Sequence, residues 1–186
     1  KANDMAGSSV SNAGDVNGDG FDDLIIGAPE NMASPYNDHS GSSYVIFGKA
    51  SGFEAVMDLS SLNGSNGFSL NGMAGDTLGS SVSGAGDVNG DGFDDLIIGA
   101  FGVDSNGYGS GFSYLMFGKA SGFATTLDLA ALDGSNGLRL DADKGTGSVV
   151  SNAGDINGDG FDDVIVHGKY VVFGRISGFN ATLALS

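Results

Sequence analysis

Asp15-Val-Asn-Gly-Asp-Gly-Phe-Asp-Asp23 returns almost unchanged as Asp87-Val-Asn-Gly-Asp-Gly-Phe-Asp-Asp95 and again as Asp155-Ile-Asn-Gly-Asp-Gly-Phe-Asp-Asp163. Oxygen-bearing side chains at the first, third, fifth and ninth places, with glycines between them, suit a hard cation of calcium's size. In the first string Asp15, Asn17 and Asp19 alternate along a tight curve, the carbonyl of Phe21 adds a further oxygen and Asp23 closes the shell. Gly18 and Gly20 supply the positive φ that such a curve demands. The equivalent ligands are Asp87, Asn89, Asp91, Phe93 and Asp95, then Asp155, Asn157, Asp159, Phe161 and Asp163. Three Ca²⁺ sites are expected. The eighth residue, Asp22, Asp94 or Asp162, is not counted as a ligand and is expected to face solvent or hold neighbouring backbone.

The first residues of the strings lie 72 and then 68 positions apart, and their flanks recur in step. Tyr44-Val-Ile-Phe-Gly-Lys49, Tyr114-Leu-Met-Phe-Gly-Lys119 and Tyr170-Val-Val-Phe-Gly-Arg175 are each followed by Ser-Gly-Phe, at Ser51, Ser121 and Ser177. A period of this length marks a supersecondary unit that buries its apolar face against copies of itself. Phe21, Phe93 and Phe161, Phe47, Phe117 and Phe173, and Phe53, Phe123 and Phe179 occupy recurring positions and read as core anchors. In the first unit strands are expected at Ser8 to Ala13, Asp23 to Ala28, Gly41 to Phe47 and Gly67 to Leu70. In the second they fall at Leu78 to Ala85, Asp95 to Ala100, Gly111 to Phe117 and Gly137 to Leu140. The third passes almost directly from His167 to Tyr170, so a tight hairpin replaces the longer loop, and this stretch holds no counterpart of its fourth strand. The expected organisation is all-β, with four-stranded antiparallel blades at 1–72, 73–144 and an incomplete 145–186. Propellers have about four to eight blades, so these three form part of a larger propeller or of one closed by association of copies.

With 34 Gly and two Pro among 186 residues, the composition fits short strands joined by tight turns. Formal charge is −16, and twelve of the 23 acidic residues lie in the three strings. Three Ca²⁺, at two charges each, would leave −10, still a surface that phosphates avoid, so nucleic acid is excluded as a partner. The chain has no cysteine, which removes disulfide and thiol chemistry. Calcium loops of modest affinity are useful where the ion is abundant. The expected location is therefore extracellular or at a cell surface, and the missing disulfides point to a bacterium. No apolar run approaches the roughly 20 residues of a membrane span, and no signal peptide is present in this stretch. His39 and His167 are the only histidines, and no nucleophile stands with an identifiable base. No catalytic site is expected. Asn63-Gly-Ser65 and Asn180-Ala-Thr182 fit the glycosylation acceptor pattern.

An EF-hand loop begins in the same way but requires a bidentate acid at its twelfth position and flanking helices. Here that position holds Ile26, Ile98 or Val166, and the string runs into a strand. Magnesium keeps several waters and rarely uses an all-protein cage. Phe47-Gly48 and Gly27-Ala-Pro29, with the repeated acidic string between consecutive strands, resemble the FG-GAP repeats of integrin α-subunit propellers and their bacterial relatives. That resemblance implies propeller blades, Ca²⁺ held between the first and second strands by the residues named above, and a role in adhesion or ligand binding. Gly-Ala-Pro becomes Gly99-Ala-Phe101 and His167-Gly-Lys169, a departure at the outer loops. Loops 29–41 and 101–111 leave the end opposite the acidic strings, and Tyr36, His39, Phe101 and Tyr108 are the candidate contacts for a protein or glycan ligand. Two other readings stand beside a recognition segment: a structural module whose open blade ends join copies, and an accessory domain of a secreted hydrolase.

Overall fold

The structure, a computed structural model, describes residues 5–30, 39–103, 109–142 and 149–185. In chain order its strands are β1 (Ser9–Gly14), β2 (Asp23–Ala28), β3 (Ser42–Ile46) and β4 (Gly67–Asn71), then β5 (Leu78–Gly86), β6 (Asp95–Val103), β7 (Gly109–Met116), β8 (Thr126–Leu127) and β9 (Gly137–Ala142), and finally β10 (Val150–Gly154), β11 (Asp163–Val166), β12 (Tyr170–Val172) and β13 (Thr182–Leu185). They form three sheets, ordered β1-β2-β3-β4-β8, β5-β6-β7-β9-β13 and β10-β11-β12. The all-β architecture of stacked antiparallel sheets is the one expected. Each of the first two sheets gains a short fifth strand beyond the four expected. β8 pairs in parallel with β4 and β13 with β9, so the chain that follows a sheet returns to cover the outer edge of the one before it.

Alternation along the strands explains why the sheets stack. Leu96, Ile97 and Ile98 in β6 are all fully buried, but Leu96 and Ile98 join one core cluster while Ile97 joins the other. Successive side chains point to opposite faces, so an unbroken apolar run means a sheet covered on both sides. One core lies between the first and second sheets and contains Val16, Ile25, Val45 and Phe68 with Leu78, Val82 and Leu96. The other lies between the second and third.

Phe123 leaves the second unit and inserts into the first core. Its ring stacks on Phe68 at 4.8 Å and meets Phe47 edge-on at 5.2 Å. Phe179 repeats the insertion one unit later, 5.4 Å from Phe117. The side chains of Lys49, Lys119 and Arg175 lie over Phe53, Phe123 and Phe179 at 4.7, 4.9 and 4.6 Å, which explains why a basic residue recurs there. The expectation that all nine recurring Phe are core anchors fails at three of them. Phe21, Phe53 and Phe173 are exposed, because each faces the side of a terminal sheet that has no described neighbour.

The third unit does contain the tight hairpin. His167 and Gly168 both take positive φ, 59° and 64°, and the Lys169 N–H donates to the Val166 carbonyl at 3.2 Å, the pattern of a type I′ turn. Among the described residues no helix is long and apolar enough to cross a membrane. Phe123→Ala should cost about 3 kcal/mol or more, the range for emptying a buried aromatic site. The outward-facing Phe53→Ala should cost under about 1 kcal/mol. Urea unfolding of the two variants checks the contrast.

Candidate metal loops and the opposite rim

Each acidic string forms the turn between the first two strands of its sheet. Ala13 sits in a bulge, where the register shifts so that Gly14 faces Asp23, and Asn12 Oδ1 accepts from the Gly14 N–H at 2.9 Å. Gly18 and Gly20 then turn at φ of 71° and 88°, values that only glycine adopts without strain. Asp15 folds back over this curve, its Oδ1 accepting from the Asp19 N–H at 2.9 Å and its Oδ2 from Gly20 at 2.8 Å. Asn17 Oδ1 takes the Asp19 N–H at 2.8 Å, and Asp19 Oδ1 takes that of Phe21 at 3.0 Å. The same bonds recur in the second and third loops. Backbone donors, chiefly Gly160, hold the Asp155 carboxyl below the usual range.

The ninth residue is placed differently. Asp23 is buried, and its two oxygens accept from the Val16 N–H at 3.0 Å and the Gly48 N–H at 2.8 Å. Asp95 holds Val88 and Gly118 at 2.9 Å each, and Asp163 holds Ile156 at 3.1 Å and Gly174 at 2.9 Å. This carboxylate therefore ties the acidic loop to the end of the third strand, where Phe-Gly recurs. Burial pushes Asp23 up to about 6 and Asp95 up to about 8, and the adjacent carboxylates of Asp19 and Asp15, or Asp91 and Asp87, push the same way. The first, third and fifth side chains thus gather over the turn of each loop, while the ninth points into the sheet. Among the described residues no three Asp, Glu, His or Cys side chains stand close enough together to hold a metal ion. The donor set nevertheless fits a hard cation, since a carboxylate oxygen that accepts one hydrogen bond keeps a second lone pair.

The eighth residue has a job that the sequence reading left open. Asp94 Oδ2 accepts the Asp15 N–H of the preceding loop at 2.7 Å, and the Asp94 N–H donates to the Asp15 carbonyl at 3.2 Å. Asp162 makes the same pair of bonds to Asp87, at 2.9 and 3.1 Å. The only sequence signal for this role was its recurrence.

At the opposite rim, Tyr36 and Tyr108 lie outside the described residues. His39 is exposed, takes φ of 49°, and places Nδ1 2.9 Å from Glu30 Oε2. Phe101 corrects the expectation of a loop residue. It belongs to β6 and pairs with Gly111, because the second hairpin keeps its ladder to Val103 and Gly109. His39 and Phe101 are brought together through a residue the sequence did not mark. The Thr77 N–H donates to the His39 carbonyl at 2.7 Å and its hydroxyl to the Phe101 carbonyl at 2.6 Å. Asn63, offered by sequence as a glycosylation acceptor, uses Oδ1 to accept from the Ser65 N–H at 3.0 Å and the Ser65 hydroxyl at 2.7 Å, and Asp133 does the same with Ser135.

The FG-GAP repeat family matches residues 6–46 and 78–116, which span the first two acidic loops and the strands on either side. These two stretches are FG-GAP repeats. It is 32% identical to integrin alpha-4 of Xenopus laevis over 158 residues, 83% of this chain and 13% of that protein. It is 37% identical to integrin alpha-V of Gallus gallus over 99 residues, 53% of this chain and 9% of that protein. Integrin alpha-5 of Xenopus laevis is 35% identical over a stretch of the same length. The chain therefore spans a small part of the curated relatives it matches, and the repeats found in its first two sheets are of the kind that forms β-propeller blades.

Asp95→Ala leaves the buried Val88 and Gly118 donors without their acceptor. It should cost about 3 kcal/mol in chelator, against under about 1 kcal/mol for the exposed Asp91→Ala. Urea denaturation of both variants in chelator reads the difference.

Proposed function

We propose that this chain is a calcium-stabilised propeller segment of an extracellular adhesion or recognition protein. The observation that carries the metal reading is the threefold recurrence of one donor set beside a buried carboxylate, Asp23, Asp95 or Asp163, that holds the loop to its sheet. Asp15, Asn17, Asp19, the Phe21 carbonyl and Asp23 would hold one ion, and their counterparts at 87–95 and 155–163 two more. Bound Ca²⁺ supplies the positive charge that offsets these carboxylates. Asp15 and Asp19 offer the exposed oxygens, while Asp23 anchors the site to the sheet. Extracellular recognition is supported by the likeness to integrin α-subunits, and contact with a protein or glycan is assigned to the rim bearing His39 and Phe101. The role of the ion is structural, since it fixes the turn that joins the first two strands of each sheet.

Calorimetric titration of the chelator-treated chain should find three Ca²⁺ sites, and Asp19→Ala should leave two. Calcium should also raise the melting temperature. Absence of binding at about millimolar Ca²⁺, the weak end for extracellular modules, would overturn the metal reading.

A further inference from the structure

A cleft of about 430 Å³ opens where the first and second sheets stack, within the size range of small-molecule sites. Met73 and Asp76, in the turn that leaves β4, form one wall, and Tyr114 of β7, Arg139 of β9 and Leu129 form the other. The described lining includes no residue of the acidic strings and neither His39 nor Phe101.

Two polar side chains in this cleft are buried yet incompletely used. Tyr114 is 4% exposed, and among the described residues its hydroxyl has no hydrogen-bond partner, whereas a buried tyrosine ordinarily finds one. Burial chiefly, and then the charge of Asp76, push this hydroxyl up to about 12 while Arg139 pulls the other way, so it stays a neutral donor. Asp76 is 7% exposed. Its Oδ2 accepts the Met73 N–H at 2.8 Å, and its Oδ1 accepts from no described group.

Arg139 is braced beside them. Its Nε and Nη2 donate to the two Asp141 oxygens at 2.6 and 2.8 Å, and the guanidinium lies 5.8 Å from the centre of the Phe112 ring. Nη1 is bonded to no described residue. The repeat does not require this pair. Tyr44 pairs with Ser69 as Tyr114 pairs with Arg139, and Ser42 pairs with Asn71 as Phe112 pairs with Asp141. The first unit thus builds the same strands with a serine and an asparagine, and the braced guanidinium is particular to the second.

We propose that this cleft binds a neutral hexose. An anion meets the carboxylates of Asp76 and Asp128, and a cation meets the Arg139 guanidinium, so a ligand of either charge is opposed. A hexose instead offers neighbouring hydroxyls that each donate and accept. Asp76 Oδ1 accepts from one hydroxyl, the Tyr114 hydroxyl and Arg139 Nη1 donate to others, and Met73 and Leu129 meet the C–H face of the ring. Asp141 is a positioning residue that holds the guanidinium. The site goes beyond the rim contacts and the calcium loops already assigned and depends on neither.

Saturation-transfer NMR on the whole chain in about millimolar Ca²⁺, with D-glucose, D-galactose and D-mannose each at about 10 mM, tests it. At least one should bind with about millimolar affinity, the strength open to a ligand of about a dozen non-hydrogen atoms. Tyr114→Phe should weaken that binding at least about tenfold and leave the melting curve unchanged, because the lost hydroxyl bonds to no described residue. Arg139→Ser with Asp141→Asn, which copies Ser69 and Asn71, should weaken it as much with far-UV circular dichroism unchanged. Butylguanidinium and inorganic phosphate at the same concentration are the charged probes. Silence of all the hexoses overturns the proposal, as does a charged probe that binds where they do not, or hexose binding that neither variant weakens. Calcium titration reads the acidic loops separately, so the failure of one reading is distinguishable from that of the other.

Discussion

The middle sheet is apolar on both faces, and the rest of the structure follows from the need to cover them. A sheet with Leu96 and Ile98 on one side and Ile97 on the other cannot face water on either without exposing a fully buried strand. Each core is consequently shared, half from one unit and half from the next. The return segment strengthens this sharing by carrying Phe123 back into the first core before the second sheet is complete. Stability in such an array resides in the junctions as much as in the units.

The aspartates of the repeated string divide the work of making those junctions. The ninth residue, buried, accepts two backbone N–H groups of its own unit and ties the acidic loop to the end of the third strand. The eighth accepts a backbone N–H from the loop before it and ties unit to unit. The first and fifth fold onto the turn itself. Adjacent positions along an extended chain point in opposite directions, which is why neighbouring aspartates serve the two sides of one sheet. The acidic loop is therefore a point at which three mechanical ties meet, and a change in its local charge bears on the turn, the sheet and the junction together.

Much of this was legible in the residues. The repeated strings located the turns, the runs after them located the second strands, and the shortened third unit announced its hairpin. The fifth strands were not legible, because the pairing of Ser69-Leu70 with Thr126-Leu127 spans two residues and that of β13 with β9 only four, too few to leave a period to read. Phe101 was misplaced because Gly-rich sequence on both sides resembles loop, whereas the ladder runs through it to Val103. Phe21, Phe53 and Phe173 recur as faithfully as the other anchors, yet recurrence reports a position in the unit and says nothing about whether a neighbour covers it. The eighth aspartate was ambiguous for a related reason: its partner is a backbone N–H 79 residues away, which no side-chain pattern encodes.

Thr77 shows how the opposite rim can vary without loosening the array. Its N–H and hydroxyl reach the carbonyls of His39 and Phe101, and so join the turn of one sheet to the strand of the next through main-chain acceptors. Any residue at 39 or 101 presents a carbonyl. The tie constrains the path of the backbone there while leaving the side chains at those positions unbound by it. At the acidic rim the reverse holds, because the bonds run through specific carboxylates and across glycines that admit no Cβ. One rim is thus committed, residue by residue, to holding the units together, and at the other the tie between sheets runs through main-chain carbonyls.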